Sequence, residues 1–286
     1  MKKIQSPLRY PGGKAKLAGV FEKLLTANQL KGCVFAEPYA GGCGVGLSLL
    51  QKGLINLLEI NDSDYNIYAF WFSILNSTEE FINLINATPV TVEQWRNQRD
   101  IYLKPQKKVS VLEKGFATFF LNRCNRSGII EKAGIIGGYS QTGKWKIDAR
   151  FNKPLLIERI RNIASHSEQI NVRCMDALDF LESWSKSNRE DRFVFLDPPY
   201  YEKGKELYSK FYKPFEHTLL ANQLAKAQYP WALTYDNANM ISNLYAQQKR
   251  ISFNLNYSIA KNRIAKELFI IPHKIACPDN LFCKGA

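Results

Sequence analysis

Asp197-Pro198-Pro199-Tyr200 is the segment whose residue types and order point most directly to chemistry. It follows an apolar run at residues 193–196, so we expect it at the carboxyl end of a buried parallel strand, where open α/β sheets bind ligands. Asp197 and the carbonyl of Pro198 can each accept an N–H bond. An exocyclic amine of a nucleobase needs such acceptors before its delocalised lone pair can attack a methyl donor, and Tyr200 can stack on the ring. A tight turn alone would require neither the carboxylate nor the aromatic side chain.

A glycine-rich loop between a buried strand and a helix is the second candidate site. Four glycines lie between positions 41 and 46, and glycine lets a backbone turn tightly and approach a ligand closely. Glu37 beside the loop would repel a phosphate but suits an ammonium or hydroxyl group, which favours an adenosyl ligand that carries an amino acid. Asp62 stands 21 residues after Gly41, where it can bind both ribose hydroxyls or instead cap a helix. Both interpretations of Asp62 stay open.

These residues must be positioned by an α/β sheet that an insertion interrupts. The first 60 residues predict a β-loop-α-β unit, and a helical pattern with an aromatic stripe follows Asp62. Further helices are expected through Asn86 and across residues 111–122. Glycines, lysines and short alternating segments at residues 125–153 predict loops and a β-hairpin. We therefore expect a Rossmann-like catalytic domain from residues 1–64 and 154–286, with a mostly helical lobe containing the hairpin at residues 65–153. The expected strands are residues 33–36, a segment ending near 60, 170–174, 193–196, 232–234, 251–255 and 268–271.

The composition is that of a basic globular protein. The 286 residues are 45% hydrophobic, and the net charge of +13 favours a polyanionic partner such as nucleic acid or an acidic membrane surface. No apolar run approaches the roughly 18 residues of a membrane span, and the first residues lack a secretory signal, so we expect a cytoplasmic protein. Six cysteines without a Cys-x-x-Cys pair and three histidines without ligand-like spacing predict neither a metal site nor a disulfide framework.

With these motifs in place, the chain resembles the Dam-like (D12) family of DNA adenine-N6 methyltransferases, in the motif order that inserts the recognition lobe before the catalytic tetrad. Arg9-Tyr10-Pro11-Gly12-Gly13-Lys14 is similar to the family's opening signature, and Asp197-Pro198-Pro199-Tyr200 to its catalytic one. The resemblance runs across nearly the whole chain and implies a class I methyltransferase fold with S-adenosyl-L-methionine as cofactor. The implied catalytic residues are Asp197, Pro198 and Tyr200, and the implied cofactor residues are Tyr10, Lys14, Glu37, Tyr39, Gly41, Asp62, Asp176 and Asp197. Asp176 would receive the adenine amine of the cofactor, with Asp179 as its competitor.

The same resemblance places double-stranded DNA against the inserted lobe. Residues 104–153 hold eleven Lys or Arg against three Asp or Glu, which concentrates positive charge there. Many relatives carry an aromatic ring and an Asn before the glycine at position 128, whereas this chain has Asn125-Arg126-Ser127-Gly128. A ring that would insert into the DNA stack is absent there, so recognition of the sequence GATC, which is common in the family, is not implied. The implied DNA contacts are Asn122, Arg123, Arg126, Lys144, Lys146 and Arg150.

Several other functions share part of this pattern. N4 of cytosine and an RNA adenine present the same amine, so the tetrad does not select the base. A non-catalytic nucleic-acid-binding subunit would not need an intact Asp197, Tyr200 and glycine loop. An NAD-dependent oxidoreductase rests on the glycine loop alone and conflicts with Glu37, and protein-glutamine methyltransferases favour Asn where Asp197 stands. The sequence predicts no metal or membrane partner and leaves the oligomeric state open, with a monomer as one possibility.

Overall fold

Seven strands form one mixed sheet within the residues that the computed structural model describes, which are 5–10, 13–187, 189–202, 212–257 and 263–282. The strands are β1 (Cys33–Glu37), β2 (Ile55–Asn61), β3 (Ile170–Arg173), β4 (Arg192–Leu196), β5 (Trp231–Asp236), β6 (Lys249–Tyr257) and β7 (Arg263–Ile271). Their spatial order is β3-β2-β1-β4-β5-β7-β6, and only β7 runs antiparallel to its neighbours. The predicted Rossmann-like α/β core is confirmed, and each expected strand is present.

The order of strands places the two sequence motifs side by side. From β1 the chain first moves outward to β2 and β3, and it then returns to pair β4 against the other edge of β1. Such a reversal opens a crevice at the carboxyl ends of the two central strands. All five residues of β1 and of β4 are buried, because helices cover both faces of the sheet. The glycine loop after β1 and the tetrad after β4 therefore meet at this crevice.

A helical lobe separates β2 from β3 along the chain. Its facing aromatic rings pack together, as where Phe70 stacks on Phe119 with centroids 6.0 Å apart and Phe81 meets Phe119 edge-on at 5.5 Å. The same buried cluster includes Phe35 and Phe193 of the sheet, so the lobe and one face of the sheet share a hydrophobic core. The helices of the lobe are α3 (Tyr65–Asn76), α4 (Thr78–Ala87), α5 (Val92–Leu103) and α6 (Val111–Cys124), and α7 (Lys153–Ala164) leads from the lobe back to the sheet. They follow α1 (Ala18–Ala27) and α2 (Gly44–Gln51).

Helix α5 is absent from the sequence-based expectation. It buries Trp95, Gln98 and Tyr102, a spacing of three and four residues on an otherwise polar segment. Its start is set by Thr91, whose hydroxyl accepts the Gln94 N–H at 3.2 Å. The helix is stabilised by tertiary contact with α6 rather than by a wide apolar face, which explains why its pattern is weak.

The second face of the sheet is covered by α8 (Ala177–Ser185), α9 (Pro214–Ala225) and α10 (Asn239–Leu244). Their apolar side chains form a cluster of their own, in which Leu181 and Leu220 pack with Val34 and Val194 of the central strands. No helix within the described residues is long and apolar enough to cross a membrane.

The prediction of a β-hairpin within residues 125–153 is wrong. The described backbone has turns there, and its β-pairing is an isolated bridge between Asn125 and Ile135. Left-handed φ angles at Gly137, Gly138 and Gln141 bend the chain too often for two extended strands. The Gln141 side chain donates to two backbone carbonyls and accepts the Ile147 N–H at 2.8 Å, so it satisfies groups that a strand ladder would otherwise pair.

Candidate active site

A cavity of about 350 Å³ lies at the crevice between the carboxyl ends of β1 and β4. Its size is that of a typical small-molecule site. Three serines, Ser6, Ser48 and Ser63, and the guanidinium-bearing Arg159 add polar groups to its wall. Six of the predicted cofactor and catalytic residues line this one cavity: Tyr10, Lys14, Glu37, Tyr39, Asp62 and Asp197. Pro11 and Gly12 of the opening signature lie outside the described residues.

The glycine loop is shaped by close contacts that exclude larger side chains. Gly41 has a φ of +44°, and a Cβ there would lie 2.6 Å from the ring of Tyr10. A Cβ on Gly46 would lie 2.4 Å from Leu58 and 3.0 Å from the carboxylate of Glu37. The carbonyl of Gly41 also accepts from the indole of Trp71, at 2.9 Å, which ties the loop to the helical lobe. The two glycines therefore let the loop pass beneath the tyrosine ring and beside the carboxylate.

Asp62 holds the same loop from the end of β2. Its Oδ2 accepts the Gly41 N–H at 3.0 Å, and its Oδ1 accepts the Asp64 N–H at 2.9 Å. The N-cap of α3 is Asp64, whose side chain accepts the Asn66 N–H. The capping interpretation therefore applies to Asp64, while Asp62 braces the loop and faces the cavity.

Glu37 places a buried carboxyl at the floor of the cavity. Its Oε1 accepts the Gly46 N–H at 2.6 Å, and the side chain also meets the thiol of Cys43. The pKa of Glu37 is raised to about 8, chiefly by burial and in smaller part by the nearby Asp197 carboxylate, against the lowering effect of these two hydrogen bonds. A cationic group in the cavity would reverse this balance because it would favour the ionised carboxylate.

Asp197, which lines the same cavity, is anchored by a hydroxyl and an ammonium. Thr234 Oγ1 donates to Asp197 Oδ1 at 2.6 Å, and Lys14 Nζ lies 3.1 Å from Asp197 Oδ2. Lys14 also lies 3.8 Å from the carboxylate of Glu267 on β7, and its side chain is 4% exposed. The carboxylate of Asp197 is thus fixed in direction, and its own side chain stays 19% exposed toward the cavity.

The rest of the tetrad forms a rigid exit from β4. Pro198 and Tyr200 are buried and Pro199 lines the cavity. Asp236 holds the following turn, since its two carboxylate oxygens accept the N–H groups of Tyr201 and Glu202 at 3.0 and 2.8 Å. Tyr200 differs from the expectation of an open stacking surface, because it is 4% exposed and the ammonium of Lys14 lies 5.1 Å from its ring centroid.

The two candidates for binding the cofactor's adenine lie beside this site. Asp176 is the N-cap of α8 and accepts the Leu178 N–H at 2.8 Å. It is close enough to Tyr212, which lines the cavity, to raise the pKa of that phenol as a secondary cause after burial. Tyr212 in turn meets the hydroxyl of Tyr39 at 2.7 Å. Asp179 lies further along in the first turn of α8. Both carboxylates are exposed, and neither is in the lining of the cavity.

The predicted DNA contacts divide into two sets by burial. Asn122 is buried and exchanges hydrogen bonds with the backbone of Arg9, at 2.7 and 2.8 Å, which ties the opening segment to α6. Arg123 is also buried and donates from Nε to the carbonyl of Arg150 at 2.6 Å. The polar atoms of both side chains form hydrogen bonds to backbone groups beneath the surface. This position differs from the expected direct contact with DNA. The exposed members are Arg126, Lys144, Lys146 and Arg150.

Sequence reasoning missed three polar residues that organise the site. Asn61 is fully buried at the end of β2, and it bonds both the Pro38 carbonyl after β1 and the Met175 backbone after β3. Thr234 and Asp236 stand at the end of β5 and hold the tetrad. All three are polar residues at the carboxyl ends of apolar runs, which is the same signal that identified Asp197.

Sequence comparison identifies the family. A profile of the D12 class N6 adenine-specific DNA methyltransferases matches residues 10–259, which include the cavity, the helical lobe and the tetrad. The chain belongs to this family. The resemblance stated from the motifs is therefore confirmed, and the protein is a methyltransferase. No curated protein sequence matches the chain at a significant level.

Solved structures with similar folds are distant in sequence. The rRNA methyltransferase AviRa of Streptomyces viridochromogenes has 16% identity and a TM-score of 0.41, over 92% of this chain and 86% of that chain. The presumed RNA methyltransferase PH1948 of Pyrococcus horikoshii has 10% identity and a TM-score of 0.40, over 92% of this chain and 83% of that chain. At these values the likeness concerns the fold, and it carries no argument about substrate.

Proposed function

We propose that the protein transfers a methyl group from S-adenosyl-L-methionine to N6 of adenine in double-stranded DNA. The observation that carries this proposal is that Glu37, Asp62 and Asp197 line a single cavity. Glu37 and Asp62 suit an amino acid and a ribose, and Asp197 suits an amine that is to be methylated. The family to which the chain belongs supports adenine as the base that carries this amine.

The cavity residues fit the proposed cofactor by charge and by hydrogen-bonding type. Glu37 offers a buried carboxyl to the ammonium of the methionine part, and Asp62 offers carboxylate oxygens to the ribose hydroxyls. Tyr10, Lys14 and Tyr39 would form the surrounding wall. Gly41 would shape the loop beside them, and Asp176 would accept from the adenine amine. When bound, the cofactor supplies an electrophilic methyl group on a sulfonium, which activates it for transfer.

The chain's own part in the reaction is to orient the amine. Asp197 and the carbonyl of Pro198 would accept hydrogen bonds from the two N–H groups of the amine. These bonds would draw the nitrogen toward tetrahedral geometry and direct its lone pair at the methyl group. Thr234 keeps the carboxylate in direction. With the cofactor bound, this nitrogen would take the methyl group and leave S-adenosylhomocysteine, and the proton that the nitrogen loses would pass to solvent by way of Asp197, which already accepts its N–H bond. Tyr200 would stack on the base once the ammonium of Lys14 withdraws from its ring.

The exposed cations of the lobe support a nucleic-acid substrate. Arg126, Lys144, Lys146 and Arg150 project from the segment that carries the local excess of positive charge, and such residues bind phosphates. We accordingly propose residues 65–153 as the DNA-recognition domain and residues 1–64 with 154–286 as the catalytic domain. Asn122 and Arg123 would hold the recognition surface in place.

Plasmid methylation tests this function directly. Plasmid from a host without DNA methylation is incubated with the protein and S-adenosylmethionine, and modified bases are located by base-resolution sequencing. We expect N6-methyladenine in a fixed sequence context with the wild type and none with Asp197→Ala, which should still bind DNA and S-adenosylhomocysteine. Methylation of cytosine N4, methylation of RNA alone, or no transfer by the wild type would each contradict the proposal.

A further inference from the structure

Trp145 is the one exposed tryptophan of the protein. The structure describes all five tryptophans, and Trp71, Trp95, Trp184 and Trp231 are each at most 9% exposed, whereas Trp145 is 58% exposed. A single exposed apolar side chain is common on a protein surface, so the groups around Trp145 decide whether its ring belongs to a binding surface.

Two cations flank this ring. Lys144 Nζ lies 5.9 Å and the Arg150 guanidinium 5.8 Å from the centroid of Trp145. A second exposed ring, Tyr139 at 57%, lies 6.0 Å from the Arg96 guanidinium. Aromatic faces beside Lys and Arg bind single-stranded nucleic acid, because bases stack on the rings while phosphates pair with the cations.

The turn that carries Trp145 is braced from within. Ile147 is buried, and its N–H is held by the Gln141 side chain at 2.8 Å. Gly137 passes so close that a Cβ on it would lie 2.7 Å from the Trp145 carbonyl. The exposed ring is thus mounted on a fixed backbone, which lowers the entropy lost when a ligand stacks on it.

Two further guanidinium groups lie near Arg150. The buried Arg123 donates to the Arg150 carbonyl, and the pKa of Arg123 is lowered chiefly by burial and also by the charges of Arg9, Arg159 and Arg150, which places all three near it. Arg150 is exposed beside the ring and Arg159 lines the cavity, so the surface offers guanidinium groups to phosphates at both places.

We propose that Trp145 is a base-stacking residue for DNA, contacting a base that is unpaired or displaced when the target adenine enters the cavity. This inference rests on the proposed function and deepens it, because removal of a base from the duplex leaves unstacked faces beside the enzyme. Lys144 and Arg150 hold the adjoining phosphates while the indole covers the exposed base.

Tryptophan fluorescence tests the contact on the full chain. Short single-stranded DNA should quench the emission of the wild type, since the four buried indoles are out of reach, and Trp145→Phe should lose most of this quenching. Trp145→Phe keeps a ring and should bind DNA within a few-fold of the wild type. Trp145→Leu keeps apolar bulk without a ring and should bind on the order of 10-fold to 100-fold more weakly.

Phe215→Ala is the matched control, since Phe215 is also 58% exposed but lies on α9, which packs against the other face of the sheet. It should leave DNA affinity unchanged. Quenching that persists in Trp145→Phe, wild-type affinity in Trp145→Leu, an equal loss in Phe215→Ala, or quenching by RNA but not DNA would overturn the inference. Failure of the wild type to methylate plasmid would instead overturn the proposed function, while the quenching and affinities still decide the role of Trp145.

Discussion

Replacement of Glu37 with glutamine should stabilise the empty protein and weaken cofactor binding. Burial raises the pKa of Glu37 from 4.5 to about 8. The pKa of Glu37 is higher in the folded chain than in the unfolded one. The protonated carboxyl therefore makes its full contribution to the free energy of unfolding below pH 4.5, and this contribution is lost as the pH rises toward 8. Glutamine has no proton to lose in this range, and its oxygen can still accept the Gly46 N–H.

The size of the effect follows from the same values. Between pH 4.5 and pH 7, each pH unit lowers the free energy of unfolding by about 1.4 kcal/mol, because only the unfolded chain loses the proton of Glu37. The total loss is at most about 3 kcal/mol at pH 7. Near pH 5, Glu37→Gln should therefore have nearly the same free energy of unfolding as the wild type. The advantage of the variant should then grow to as much as about 3 kcal/mol at pH 7.

Denaturant unfolding between pH 5 and pH 8 without ligand measures this difference. Glu59→Gln is the matched control, because Glu59 is also a buried strand glutamate but accepts from Asn171 at 2.9 Å and pairs with Arg173 at 3.2 Å. Its replacement should destabilise the protein. Calorimetry should show weaker binding of S-adenosylhomocysteine by Glu37→Gln, since no carboxylate then faces the ammonium. A stability difference that does not grow with pH, or unchanged ligand affinity, would refute the reasoning.

Three further substitutions test the site and the lobe. Thr234→Val removes the hydroxyl that orients Asp197, and we expect kcat to fall about 10-fold with little change in the KM for cofactor, as measured by methyl-transfer kinetics. Gly41→Ala should weaken S-adenosylhomocysteine binding at least about 10-fold in calorimetry, because its Cβ would meet the tyrosine ring, whereas Gly53→Ala has an equally left-handed φ in open space and should bind normally. Lys144→Gln should lower DNA affinity and reduce the slope of log K against log salt by about 0.9 in salt-dependent binding assays, and an unchanged slope would remove Lys144 from the phosphate contacts.

The central strands are predictable from the sequence because they are fully buried. Residues buried on both faces must be continuously apolar, so β1 and β4 are visible as short apolar runs. Helix α5 shows the opposite case, since its burial is confined to three side chains and its stability comes from α6. The absent hairpin has a similar cause. Its alternating residues suit strands, but backbone turns at glycines and Gln141 override that pattern.

The residues of the site also divide into those that the sequence predicts and those that it does not. Reactive residues at strand ends, such as Glu37 and Asp197, can be predicted from their motif and position. Partners that act by contact do not, because nothing in the order of residues says that Thr234 lies beside Asp197 or that Asn61 links three loops. The burial of Asn122 could not be anticipated either, since a polar residue at a helix end is equally compatible with a surface.

The sequence by itself determined the kind of chemistry at Asp197-Pro198-Pro199-Tyr200, the acidic glycine loop and the basic character of the lobe. These depend on residue type and on distance along the chain, which burial does not alter. Tertiary structure alone decided that Lys14 covers Tyr200, that Glu37 is buried enough to raise its pKa, and that Trp145 stands exposed between two cations. Solvent exclusion and neighbouring charges set those properties, and both arise only when distant segments pack together.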